Sequence, residues 1–129
     1  MSVGPILIVE DEDLVRIMIA EELQSSGYDV LEASCAEEAL VQFQQNPVSV
    51  LFTDIRMPGR MNGWELAEEV HRRDPSIKVI YTTGYSHERP RLVPNSLYVG
   101  KPYRAAQIVD AIERLTRDGD DISGEPRAE

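Results

Sequence analysis

Basic residues are scarce in this 129-residue chain: 13 Lys and Arg stand against 23 Asp and Glu, a formal net charge of -10. So negative a surface argues against binding nucleic acid or an anionic membrane, since phosphate must be neutralised by clustered cations. Cysteine is all but absent. Cys35 alone cannot form an internal disulfide, which excludes a disulfide scaffold and points to a reducing, cytoplasmic setting. No apolar run approaches the ~20 residues that span a bilayer, and the N-terminus has neither the basic region nor the apolar core of a secretory signal. What remains is a chain long enough for one globular domain that buries roughly two-thirds of its unfolded surface.

Short apolar runs alternate with amphipathic segments along it. Ile6–Val9, Val30–Ala33, Val48–Thr53, Lys78–Thr82 and Leu97–Val99 read as strands. Ala36, Ala39, Leu40 and Phe43 recur at helical spacing, as do Leu66, Ala67 and Val70, then Ile108, Ala111, Ile112 and Leu115. After the first strand, Val15, Met18, Ile19 and Leu23 share one side of a helix. Ser34 with Glu37, and Asn62 with Glu65, have the spacing of capping boxes. Five strands alternating with helices predict an α/β fold with a doubly wound parallel sheet. The end of the chain, residues 118–129, has five acids against Arg127 and is expected to be a disordered acidic tail behind a domain of residues 1–117.

Two of the apolar runs stop on carboxylates. Ile6–Val9 is followed by Glu10 and Asp11, and the run through Thr53 by Asp54. Ligands of parallel sheets sit at the carboxyl ends of strands, so the three acids gather at one edge. Like charges ~4 Å apart repel by about 4 kcal/mol at an effective dielectric of 20, and a cation is needed to hold them together. Hard oxygen ligands suit Mg²⁺, which binds through one or two carboxylates, water and phosphate oxygens. Beside such an ion Asp54 is a candidate nucleophile toward a phosphoryl donor. Thr83 and Lys101, each closing a later strand, offer a hydroxyl donor and a point cation for the transferred group.

The segments ILIVED, FTDIRMPG, MNGWEL, YTTGY and YVGKPY, in this order and spacing, resemble the receiver domain of bacterial response regulators in two-component signalling. The resemblance covers residues 5 to about 117 and implies a flavodoxin-like sheet with strand order 2-1-3-4-5. It implies that Asp54 accepts the phosphoryl group and that Asp11 binds Mg²⁺ directly, Glu10 mainly through water. The backbone carbonyl of Arg56 would be a further ligand. Thr83 matches the switch hydroxyl, Tyr98 the aromatic that turns inward on activation, and Lys101 the lysine that pairs with Asp54 or its phosphate. Pro102 follows a peptide bond that is cis in the family. The implied partners are a histidine kinase or a histidine phosphotransfer protein, with output by protein–protein binding or by acting as a phosphate sink. The chain would be no enzyme in its own right, only a phosphoacceptor that assists its own phosphotransfer and autodephosphorylation, as a monomer or a phosphorylation-dependent dimer.

Three departures from the family pattern stand out. Gly84–Ser96, where a helix belongs, is short and holds Pro90 and Pro94, which predicts a shortened or irregular fourth helix that is mobile without phosphate. The loop after Asp54 has one extra residue, Arg60. Arg56 and Tyr85, two beyond Asp54 and Thr83, are bulky where the family tunes dephosphorylation, and a long-lived phosphorylated state is expected. Rival functions fit less well. A Mg²⁺-dependent phosphohydrolase of the haloacid-dehalogenase type needs an acid at Arg56, and a flavin-binding loop would not carry the acids at positions 10–13. A phosphorylation-independent partner-binding module would not need all five positions filled.

Overall fold

The computed structural model describes residues 4–83 and 92–117. Its elements are β1 (Ile6–Val9), α1 (Asp13–Ser25), β2 (Val30–Ala33), α2 (Ala36–Gln45), β3 (Val50–Asp54), α3 (Gly63–Arg73), β4 (Lys78–Thr83), β5 (Ser96–Gly100) and α4 (Ala105–Arg117). The strands form one parallel sheet in the order β2-β1-β3-β4-β5, as the resemblance implied. No described helix is long and apolar enough to cross a membrane.

The apolar runs are continuous because helices cover both faces, and β1 and β3 are buried along their whole length. Side chains alternate between the faces. Leu7, Val9, Leu51, Val79 and Tyr81 pack with the apolar residues of α2 and α3. Ile6, Ile8, Val50, Phe52, Ile80 and Leu97 pack with those of α1 and α4. Ile108, Ala111, Ile112 and Leu115 form the buried stripe of α4, as their spacing predicts.

The strand ends shift slightly: β3 begins at Val50 and takes in Asp54, β4 takes in Thr83, and β5 runs from Ser96 to Gly100. Asn62 and Glu65 form the predicted capping box, each side chain accepting from the other's backbone N–H at 2.9 Å. The pair Ser34–Glu37 does not. Cys35 is the residue that precedes α2, so the third helical position is Glu38, and Glu38 accepts the amide and the hydroxyl of Ser34. On α1 the buried stripe is Ile19, Ala20 and Leu23, which turns Met18 out to 66% exposure. The irregular helix expected within Gly84–Ser96 falls mostly on residues 84–91, outside the described residues, as does the tail at 118–129. Residues 92–95 enter β5 without helix.

Candidate functional site

Each acid reaches the sheet edge for a local reason. The amide of Glu10 still donates to Ala33 at 3.1 Å, one step past β1, so Glu10 stays in the sheet and is wholly buried. Asp11 lies beyond it, in the turn before α1, and is exposed. Asp54 is the last residue of β3, 6% exposed, with Thr82 of β4 as its register partner. Behind it Gly63 opens α3 against the strand. An added β-carbon there would collide with the Asp54 carbonyl oxygen, and the Gly63 amide donates to Ile55 at 2.8 Å. Only glycine lets α3 start so close to Asp54.

The side chains then converge. Glu10, Asp11 and Asp54 each offer one oxygen, all within 4.8 Å of one another. The Lys101 ammonium donates to Asp54 Oδ2 at 3.0 Å and stands 3.5 Å from Glu10 Oε1. The Glu12 amide donates to the other Glu10 oxygen at 3.1 Å, and the Arg56 amide to Asp54 Oδ1 at 3.4 Å. The bond between Lys101 and Pro102 is cis.

Burial pushes the Glu10 carboxyl up to about 7, with Asp54 and Asp11 adding to the rise and the Glu12 amide and Lys101 opposing it. Burial alone would lower the Lys101 ammonium. The hydrogen bond and charge of Asp54, helped by Glu10, outweigh it and hold lysine above its ordinary value. With Glu10 deprotonated, three carboxylates facing one ammonium would leave two negative charges, which a single divalent ion matches. An all-oxygen set of this charge fits Mg²⁺ or a similar hard cation.

The remaining predicted residues are placed less completely. Thr83 ends β4 opposite Gly100, and its side chain lies outside the described residues. Tyr98 of β5 pairs with Tyr81 and packs half-buried on the core under α2 and α3. Arg56 is exposed in the loop after Asp54, and Tyr85 lies outside the described residues. Arg60, the extra residue, donates its amide to Glu37 at 3.1 Å, which ties that loop to α2.

Sequence reasoning missed two neighbours of the site. Tyr103 sets its ring edge-on to Phe52 at 6.1 Å, and its buried hydroxyl has no hydrogen-bond partner among the described residues. Arg16, the one basic residue of α1, reaches back to the Glu10 carbonyl. Its isolation among acids was the available signal.

A parallel α/β sheet whose edge gathers three carboxylates and a lysine has the makings of a cation site at the carboxyl ends of its strands. The sequence matches the response regulator receiver domain family over residues 6–113, and the chain belongs to that family. It is 31% identical over 117 residues to the response regulator receiver protein CpdR of Brucella abortus, covering 85% of this chain and 94% of that one. It is 34% identical over 116 residues to the sensor kinase CckA of the same organism, where the match covers 85% of this chain but 12% of the kinase. The response regulator TrrA of Thermotoga maritima, solved in complex with Mg²⁺–BeF, superposes with a TM-score of 0.78 at 34% identity, over 88% of this chain and 99% of that one.

Proposed function

We propose that this receiver accepts a phosphoryl group on Asp54, with Mg²⁺ held by Glu10, Asp11 and Asp54 and by the Arg56 carbonyl. The observation that carries the reading is the Lys101 ammonium 3.0 Å from Asp54 Oδ2, inside a three-carboxylate cluster. A carboxylate oxygen of Asp54 forms the new bond to phosphorus while the bond to the donor's histidine nitrogen breaks, and the leaving imidazole takes up a proton. Mg²⁺, when bound, offsets the negative charge that gathers on the transferring group. Lys101 follows the charge from the carboxylate to the phosphoryl oxygens, and Thr83 donates its hydroxyl to one of them.

The donor is a histidine kinase or a histidine phosphotransfer protein. The match to a stretch of the sensor kinase CckA and to the response regulator receiver protein CpdR supports this pathway class. Output is then protein binding or phosphate draining, in the cytoplasm, with dimerisation on phosphorylation as one route. Incubation with acetyl phosphate and Mg²⁺ tests the core of it. The expected result is a mass gain of about 80 Da, one phosphoryl group, that is absent from Asp54→Asn. No gain in the wild-type protein overturns the reading.

A further inference from the structure

Arg16 projects from the first turns of α1 back over the end of β1. Its three guanidinium nitrogens have three different partners. Nη1 donates to the Glu10 carbonyl at 2.9 Å, Nε to Glu32 Oε1 of β2 at 3.1 Å, and Nη2 pairs with Asp13 Oδ1 of α1 at 2.9 Å. The side chain is 15% exposed, Glu32 40% and Asp13 76%. The Asp13 contact, in water, contributes little. The Glu10 carbonyl and Glu32 are the grip that counts, as partly shielded, charge-assisted bonds.

The Glu10 carbonyl is one end of a planar unit whose other end is the Asp11 amide. Fixing that oxygen fixes the plane, and with it the directions in which the Glu10 and Asp11 side chains leave the backbone. Glu32 in turn fixes the guanidinium, because its register partner Ile8 places it on the neighbouring strand just below the turn. We infer that Arg16 is a positioning residue for the cation site, gripping the Glu10–Asp11 peptide so that both carboxylates are already aimed at Asp54 before any ion arrives. The inference rests on the proposal that these acids hold Mg²⁺. Lysine cannot replace it, since one ammonium has no planar fork to reach acceptors on separate strands.

Calorimetric titration with Mg²⁺ alone, on the wild-type chain and on Arg16→Lys and Arg16→Met, tests it. Losing a hydrogen bond to a charged group should weaken Mg²⁺ binding about tenfold in both variants. At saturating Mg²⁺ the rate of phosphorylation by acetyl phosphate should return to within about twofold of wild type, because a uniform binding effect raises the half-saturation point without lowering the maximum. In the metal-free protein, hydrogen exchange at the Glu12 amide, now bonded to Glu10, should quicken in Arg16→Lys. Wild-type Mg²⁺ affinity in a well-folded Arg16→Lys, with only a lowered melting temperature, would reduce Arg16 to a structural tie and overturn the inference. If Arg16→Met does not fold, Arg16→Lys decides alone. A wild-type chain that binds no Mg²⁺ overturns both this inference and the function it rests on.

Discussion

The Lys101 ammonium lies 3.0 Å from Asp54 Oδ2 and 3.5 Å from Glu10 Oε1, so one cation already spans two of the three clustered acids. It competes for the same charge that a metal ion would neutralise. Replacing it should therefore separate two properties that usually move together. Lys101→Ala should bind Mg²⁺ more tightly than the wild type, yet accept phosphate about a hundredfold more slowly for want of a charge on the transferring group. Mg²⁺ titration and phosphorylation rates measured on the same preparation check both halves, and unslowed phosphorylation with weaker Mg²⁺ binding would contradict the arrangement.

Glu10 gives the site a pH dependence. Its carboxyl is pushed from 4.5 up to about 7, so the folded metal-free protein holds a proton that the unfolded chain has already released. The unfolded state binds fewer protons in that window, and this group's contribution to stability is full below about 4.5 and fades as pH rises through about 7. Mg²⁺ must displace the same proton. Its affinity should fall by up to about tenfold per unit below that value and level off above it. Glu10→Gln should flatten the stability curve over this window and remain more stable than wild type at pH 8 without metal.

Gly63 admits no side chain against the Asp54 carbonyl. Gly63→Ala must push α3 away from β3, at about 1–3 kcal/mol by the usual scale of overpacking. Chemical denaturation would show the loss, and an unchanged midpoint would mean that the strand and helix part more easily than the contact implies.

Thr82 is wholly buried, and its hydroxyl has no hydrogen-bond partner among the described residues. A buried donor left unpaired costs about 1–3 kcal/mol, so Thr82→Val, of nearly the same shape, should stabilise the fold by about 1 kcal/mol. A fall in the unfolding midpoint would point instead to a partner that the hydroxyl finds in solution, such as a bound water.

Arg56 and Tyr85 are expected, from the sequence, to lengthen the life of a phosphoryl group on Asp54. Arg56 lies beside the acceptor, with its amide 3.4 Å from Asp54 Oδ1. Smaller or acidic groups at the two positions should admit and orient water. The double variant Arg56→Asn, Tyr85→Glu should lose its phosphate several-fold faster than wild type, and an equal or longer half-life in a phosphate-release assay would refute the idea.

The sheet was legible because burial on both faces writes itself as unbroken apolar runs, such as Ile6–Val9. The acids were legible because a charge straight after such a run has nowhere to lie but the edge. Boundaries read less well. Ser34 has the right spacing to Glu37, yet α2 starts one residue later than that pair assumes, and Glu38 takes the bond. Met18 fits the apolar stripe of α1 by periodicity, but the helix is seated through Ile19, Ala20 and Leu23. Arg16 was legible only as a lone cation among acids. Its partners are a carbonyl oxygen and a side chain sixteen residues away, neither of which leaves a mark in local spacing.

The bond from the Gly63 amide to the Ile55 carbonyl closes the loop after the acceptor at its base, like a drawn purse-string. Between Arg56 and Asn62, which bond to Asp54 and cap α3, the loop can change length while its base stays closed. Stretching such a closed loop from eight residues to nine adds only about 0.1 kcal/mol of closure entropy. That is how Arg60 can be present while Asp54 stays in register with Thr82. The loop is thus a place where the surface can gain or lose a residue while the carboxylate of Asp54 keeps its position in the sheet.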